Sequence, residues 1–91
     1  MTDRLIEREP LMQFSAALFE AVGVPPDDAR FVAGTLVEAD LRGVYSHGTV
    51  RLLPKYIKEL AENIINPAPA AKVVRDGPSF AVVDGDRGMG Q

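Results

Sequence analysis

Tyr45-Ser46-His47-Gly48, with Arg51 shortly after, places a proton donor and a permanent cation within about one helical turn of each other. Histidine exchanges protons near neutral pH, so an imidazole at this point could protonate the oxygen of a carbonyl under reduction. A guanidinium could hold the neighbouring carboxylate through two parallel hydrogen bonds, a task for which the point charge of lysine is poorly shaped. Together His47 and Arg51 suit a small carboxylic acid. The Ser46 hydroxyl could fix the orientation or tautomer of the ring, and Gly48 would leave space beside it. Against this stands the ordinary role of a Ser-His pair in a connector, which is a cap or a turn without chemistry. Asp40 could orient His47 as a carboxylate partner, but the more ordinary expectation is a solvated group or a local partner of Arg42 or a lysine. With no cysteine and a single histidine, no metal ligand is assigned.

Helices must carry this segment. Leu11, Phe14, Leu18 and Val22 recur at intervals of three and four, which predicts a first helix over 9–22 with those residues on its buried face and Gln13, Ser15 and Glu20 elsewhere. Pro10 suits the first turn and Gly23 offers a left-handed stop. Pro25 and Pro26 restart the chain, and Asp27 and Asp28 sit where unpaired helix N–H groups favour negative charge. Ala29, Val32, Ala33, Leu36 and Val37 then form a second stripe that lasts until Gly43. Leu53, Tyr56, Ile57 and Leu60 suggest a third. Proline inside a helix costs about 3 kcal/mol, so this helix is expected to begin at Pro54. Residues 44–53 become a connector holding His47, with one short helical turn around 48–52.

Pro67 and Pro69 end the helical region. Lys72–Arg75 and Phe80–Asp84 are short β-rich runs separated by Asp76-Gly77-Pro78-Ser79, which predicts a hairpin or two consecutive strands. Gly85-Asp86-Arg87-Gly88-Met89-Gly90 is rich in glycine but does not match the G-x-G-x-x-G dinucleotide fingerprint, so it is expected to form turns rather than a phosphate cradle. The expected fold is mainly α. A small bundle of about three helices occupies 1–67, and 68–91 contributes two short strands that begin an α/β domain of a longer protein. A lone hairpin is marginal in water, so the sequence reads as cut rather than finished.

Composition narrows the functions. The chain has 91 residues, 46% hydrophobic and 25% charged, which is ordinary globular composition and leaves little room for a large cofactor in the same core. Ten basic residues against thirteen acidic ones give a net charge of -3 with no basic stripe, so nucleic acid is not expected as a partner. No uncharged stretch is long enough for a membrane span, and the charged N-terminus does not read as a secretory signal. A cytoplasmic protein is expected.

The run Ala39-Asp40-Leu41-Arg42-Gly43-Val44-Tyr45-Ser46-His47-Gly48, followed by Arg51-Leu52 and Tyr56, resembles the opening region of the malate/L-lactate dehydrogenase family, oxidoreductases without the usual dinucleotide fold. Asn63–Pro67, Val83-Asp84-Gly85 and Gly88–Gln91 extend the resemblance over nearly the whole chain. It implies NAD(P)H-dependent interconversion of 2-oxo and 2-hydroxy acids, or of related cyclic imino acids, in a dimeric cytoplasmic enzyme. Carried over by position, His47 would be the catalytic acid/base, Ser46 its hydrogen-bonding neighbour and Arg51 the contact to the substrate carboxylate. The resemblance also implies that NAD(P)H is bound mainly by parts absent from this chain, which alone is expected to be inactive. A different class of function is a small helical assembly module that keeps the ancestral sequence without catalysis.

Overall fold

The computed structural model describes residues 5–91. Helix α1 spans Arg8–Ala21 and helix α2 spans Pro26–Leu41. Their ends follow local rules. Pro26 opens α2 at its first position, where its missing N–H costs nothing, and Asp27 and Asp28 lie in that first turn. Gly23 and Gly43 end the two helices with φ of 96° and 78°, a left-handed conformation that glycine adopts without a steric penalty. Glu38 accepts a bond from Arg42 at 2.9 Å near the end of α2. Both side chains are largely exposed, so this pair adds little stability.

The buried face of α2 is the predicted one, since Ala29, Val32, Ala33, Leu36 and Val37 are all buried. The buried face of α1 is so only in part. Leu18 and Val22 pack against the core as expected, but Phe14 is 59% exposed, whereas Phe19 and Ser15 are fully enclosed and Met12 and Ala16 also pack at the edge of the core. The expected stripe followed the bulky side chains. The arc that meets α2 instead includes the small Ser15 and Ala16, and α2 offers small Ala29 and Ala33, which permits close approach of two backbones. The Ser15 hydroxyl oxygen is buried without a hydrogen-bond partner among the described residues.

After α2 the chain makes two short 3₁₀ turns, Tyr45–His47 and Thr49–Arg51. A wide π-helical segment follows over Leu52–Ile57 and runs directly into α3, Lys58–Ala61. The third helical stretch therefore begins before Pro54, contrary to expectation. Pro54 is the third residue of that stretch, within the first turn, where N–H groups have no partner inside the helix. The face it buries is largely the expected one, with Leu60 in the core and Tyr56 and Ile57 packed against it, but Leu52 is buried in place of Leu53, which is 59% exposed. Phe19 stacks obliquely against Tyr56 with ring centroids 6.4 Å apart, joining α1 to this segment.

Strands β1, Lys72–Gly77, and β2, Phe80–Asp84, form an antiparallel hairpin. Gly77 pairs with Phe80, so the turn is shorter than the four residues expected and centres on Pro78-Ser79. The register skips at Val74 because Val73 faces Val83 while Arg75 faces Val82, a bulge that bends the strand. Every residue of both strands is exposed. Val73, Val83, Phe80 and Val82 thus remain uncovered, which agrees with the marginal stability of an isolated two-stranded sheet.

Asn66 ties the hairpin base to the helical region. Its N–H donates to the Arg87 carbonyl at 2.8 Å, and its side-chain amide donates to Asp86 Oδ2 at 3.0 Å. The same carboxylate oxygen accepts from the Ala70 N–H at 3.0 Å. In the tail, positive φ falls on Asp86 and Arg87, at 53° and 57°, while Gly88 passes close to the Pro69 ring. Met89 returns to the core. The radius of gyration is 15.1 Å, above the roughly 12 Å of a compact chain of this length, because the molecule extends to 53 Å along its long axis. Among the described residues, no helix is long and apolar enough to cross a membrane.

Candidate active site

The first 3₁₀ turn carries Ser46 and His47, and the second ends on Arg51. Such turns are short because their hydrogen bonds are poorly aligned. Here they redirect the chain twice within a few residues of the end of α2. The His47 N–H donates to the Val44 carbonyl at 3.1 Å, and the Arg51 N–H donates to the Gly48 carbonyl at 3.1 Å.

All three predicted site residues come together. Ser46 Oγ lies 2.9 Å from His47 Nδ1, within hydrogen-bond range. Either partner can donate, depending on the ring tautomer. Arg51 Nε donates to the Ser46 carbonyl, so the guanidinium folds back over the turn that holds the imidazole. His47 and Ser46 are exposed and Arg51 is half-buried. The neighbouring groove, about 520 Å³, has Tyr45, Thr49 and Val50 in its wall, while His47 and Arg51 are not among its lining residues. Neither functional candidate therefore faces that groove.

Asp40 stands in neither position expected of it. Its Oδ2 accepts from the Thr49 hydroxyl at 2.6 Å and from the Thr49 N–H at 3.3 Å, and it is half-buried. Arg42 is occupied by Glu38 instead. Sequence reasoning missed this link because the two residues are nine positions apart, whereas a helical capping pattern spans about three. Gly48 also does something other than leave room beside the ring. It is buried, and a Cβ built there would fall 1.8 Å from Asp40 Oδ1 and 3.2 Å from the Leu36 carbonyl. Glycine is required by close approach to α2. We predict that Gly48→Ala pushes Asp40 off Thr49 and costs about 1–3 kcal/mol, as overpacking does. An unchanged denaturation midpoint together with an intact Thr49 bond would contradict this.

The sequence model of a family described as malate/L-lactate dehydrogenase matches residues 6–91. The chain belongs to the malate/L-lactate dehydrogenase family. It is 43% identical over 86 residues to the malate dehydrogenase of Pyrococcus horikoshii, covering 94% of this chain and 24% of that protein. The solved structure of the Pyrococcus horikoshii enzyme superposes with a TM-score of 0.87 at 42% identity, over 93% of this chain and 24% of the other. L-sulfolactate dehydrogenase of Methanocaldococcus jannaschii is 49% identical over 69 residues, 76% of this chain and 20% of that protein. A delta1-piperideine-2-carboxylate reductase from Pseudomonas syringae shares the fold at 26% identity and a TM-score of 0.82, over 98% of this chain and 26% of its own. This member of the malate/L-lactate dehydrogenase family thus spans about a quarter of the length of the relatives it matches.

Among the residues of this family member, the glycine-rich tail does not fit the pyrophosphate of a nicotinamide cofactor. The Gly88 N–H is already bonded to the Gly85 carbonyl at 3.0 Å, and the Asp86 carboxylate at the centre of the tail would repel a phosphate. Nor do the described residues gather three or more metal-ligating side chains.

Proposed function

We propose that this chain supplies the proton-transfer and carboxylate-binding residues of an oxidoreductase that interconverts 2-oxo and 2-hydroxy acids. The observation that carries the proposal is the Ser46–His47–Arg51 cluster, in which an imidazole and a guanidinium are held on one short, doubly turned segment. When Nδ1–H donates to the Ser46 hydroxyl, Nε2 is left to face outward. The imidazolium form passes its Nε2 proton to a substrate carbonyl oxygen and is left as the neutral ring, whose Nε2 takes the proton back when a hydroxy acid is oxidised. Arg51 spends its Nε on the Ser46 carbonyl, which leaves its two terminal nitrogens to grip the substrate carboxylate. A grip four residues from the imidazole orients the adjacent carbonyl toward it.

The reading includes NAD(P)H as cofactor, bound by surfaces outside this chain's glycine-rich tail. It also includes a homodimer acting in the cytoplasm. The names of the relatives, all dehydrogenases or reductases of small acids, support the substrate class. The absence of cysteine suits a reducing compartment. The open face at His47 calls for a covering surface that excludes water from the reacting carbonyl.

The test is Arg51→Lys in the assembled enzyme. Lysine keeps the charge but loses the fork, so KM for the oxo acid should rise by roughly 10- to 100-fold, the equivalent of one charge-assisted hydrogen bond. An unaltered KM would remove Arg51 from the carboxylate site.

A further inference from the structure

We infer that Asp40 is a positioning residue, whose carboxylate ties Thr49 to the end of α2 and thereby sets where the His47 imidazole and the Arg51 guanidinium stand. The inference rests on the acid–base reading of those two residues. Asp40 lies in the last turn of α2, a helix anchored by buried Val37 and Leu36 on the same stretch. Its Oδ2 takes both the hydroxyl and the N–H of Thr49, the first residue of the turn that ends on Arg51. Arg51 in turn bonds the carbonyl of Ser46, whose hydroxyl meets the His47 ring. A single line of contacts therefore runs from a rigid helix through Asp40, Thr49 and Arg51 to the imidazole.

The backbone ties this segment to α2 at its start, where the Val44 N–H donates to the Ala39 carbonyl at 2.8 Å. Beyond that point His47 reaches Val44, Gly48 reaches Tyr45 and Arg51 reaches Gly48, each spanning three residues. Bonds of that kind shape each turn but do not fix the direction of the second turn relative to α2. The side chain of Asp40 does, and an ionised acceptor makes a shorter and stronger bond than a neutral one. Gly48 belongs to the same device. Its missing Cβ is what lets the connector pass close enough to Asp40 for the bond to form.

His47 is the only histidine, so its ring nitrogens give unambiguous signals in the 91-residue chain. The test measures their ¹⁵N shifts and the solvent protection of the Arg51 Nε–H by NMR, with helical content followed by circular dichroism. Wild type should show a protected Arg51 Nε–H and two distinct ring nitrogens. Asp40→Ala and Thr49→Val should lose the protected signal and bring the ring nitrogens toward a common value, while Thr49→Ser, which retains the hydroxyl, keeps both signatures. If Asp40→Ala loses its helices, Thr49→Val decides alone, because it removes one hydroxyl at constant shape. Unchanged signals in a folded Thr49→Val chain, or an unprotected Arg51 Nε–H in wild type, would overturn the inference. Failure of the parent reading looks different: turnover by the assembled enzyme survives His47→Ala even though the signals still respond to Asp40 and Thr49.

Discussion

His47→Ala in the assembled enzyme should lower kcat/KM for a 2-oxo acid by about a hundred- to ten-thousand-fold, the range over which a positioned acid contributes. The effect should appear mainly in kcat, since in the proposed mechanism the imidazole acts on the oxygen that gains charge during reduction while Arg51 holds the ground-state carboxylate. The variant should fold normally. His47 is exposed, and its side chain bonds only to the neighbouring Ser46 hydroxyl among the described residues, so its removal opens no cavity and strands no buried partner. Steady-state kinetics with circular dichroism as the folding control make the measurement. Turnover within a few-fold of wild type would take proton transfer away from this residue.

Phe19→Ala should be the most destabilising single change in the helical region, by about 3–5 kcal/mol, because a fully buried aromatic is deleted and the site cannot collapse around the gap. Phe19 has no exposed surface, lies in the cluster with Val32, Ala33 and Leu36, and touches the π-helical segment through Tyr56. A domain of this size has about 5–15 kcal/mol in total, so much of the population unfolds at modest urea concentrations. Phe14→Ala provides the contrast. At 59% exposure it should move stability by no more than about 0.5 kcal/mol. Urea titration of the two variants separates the observed buried face of α1 from the one its bulky residues suggest, and a larger loss from Phe14→Ala would reverse the assignment.

Much of this architecture is written locally. Pro26 and Gly43 bound α2 because one lacks an N–H where none is needed and the other tolerates positive φ, and neither property depends on distant chain. The five-residue stripe of α2 is legible for the same reason: its apolar positions are unambiguous at helical spacing. The short-range grouping of Ser46, His47 and Arg51 is legible too, because residues within five positions of one another on two tight turns are bound to lie close together.

Helix α1 marks where local information stops. Hydrophobicity favours Leu11, Phe14, Leu18 and Val22, of which Leu18 and Val22 do reach the core, but full burial is settled by the shape of the facing helix, and small Ser15 and Ala16 allow an approach that Phe14 would prevent. The start of the third helical stretch was misplaced because proline's penalty applies within a helix and vanishes in its first turn, and only the preceding 3₁₀ turns put Pro54 there. Asp40 and Gly48 complete the division. Sequence alone determined the limits of α1 and α2, the two strands and the candidate chemical groups, all of which follow from residues a few positions apart. Tertiary structure decided which faces are buried, why Gly48 must lack a side chain and which donor Asp40 binds, because these depend on surfaces that meet only after the connector folds back on α2.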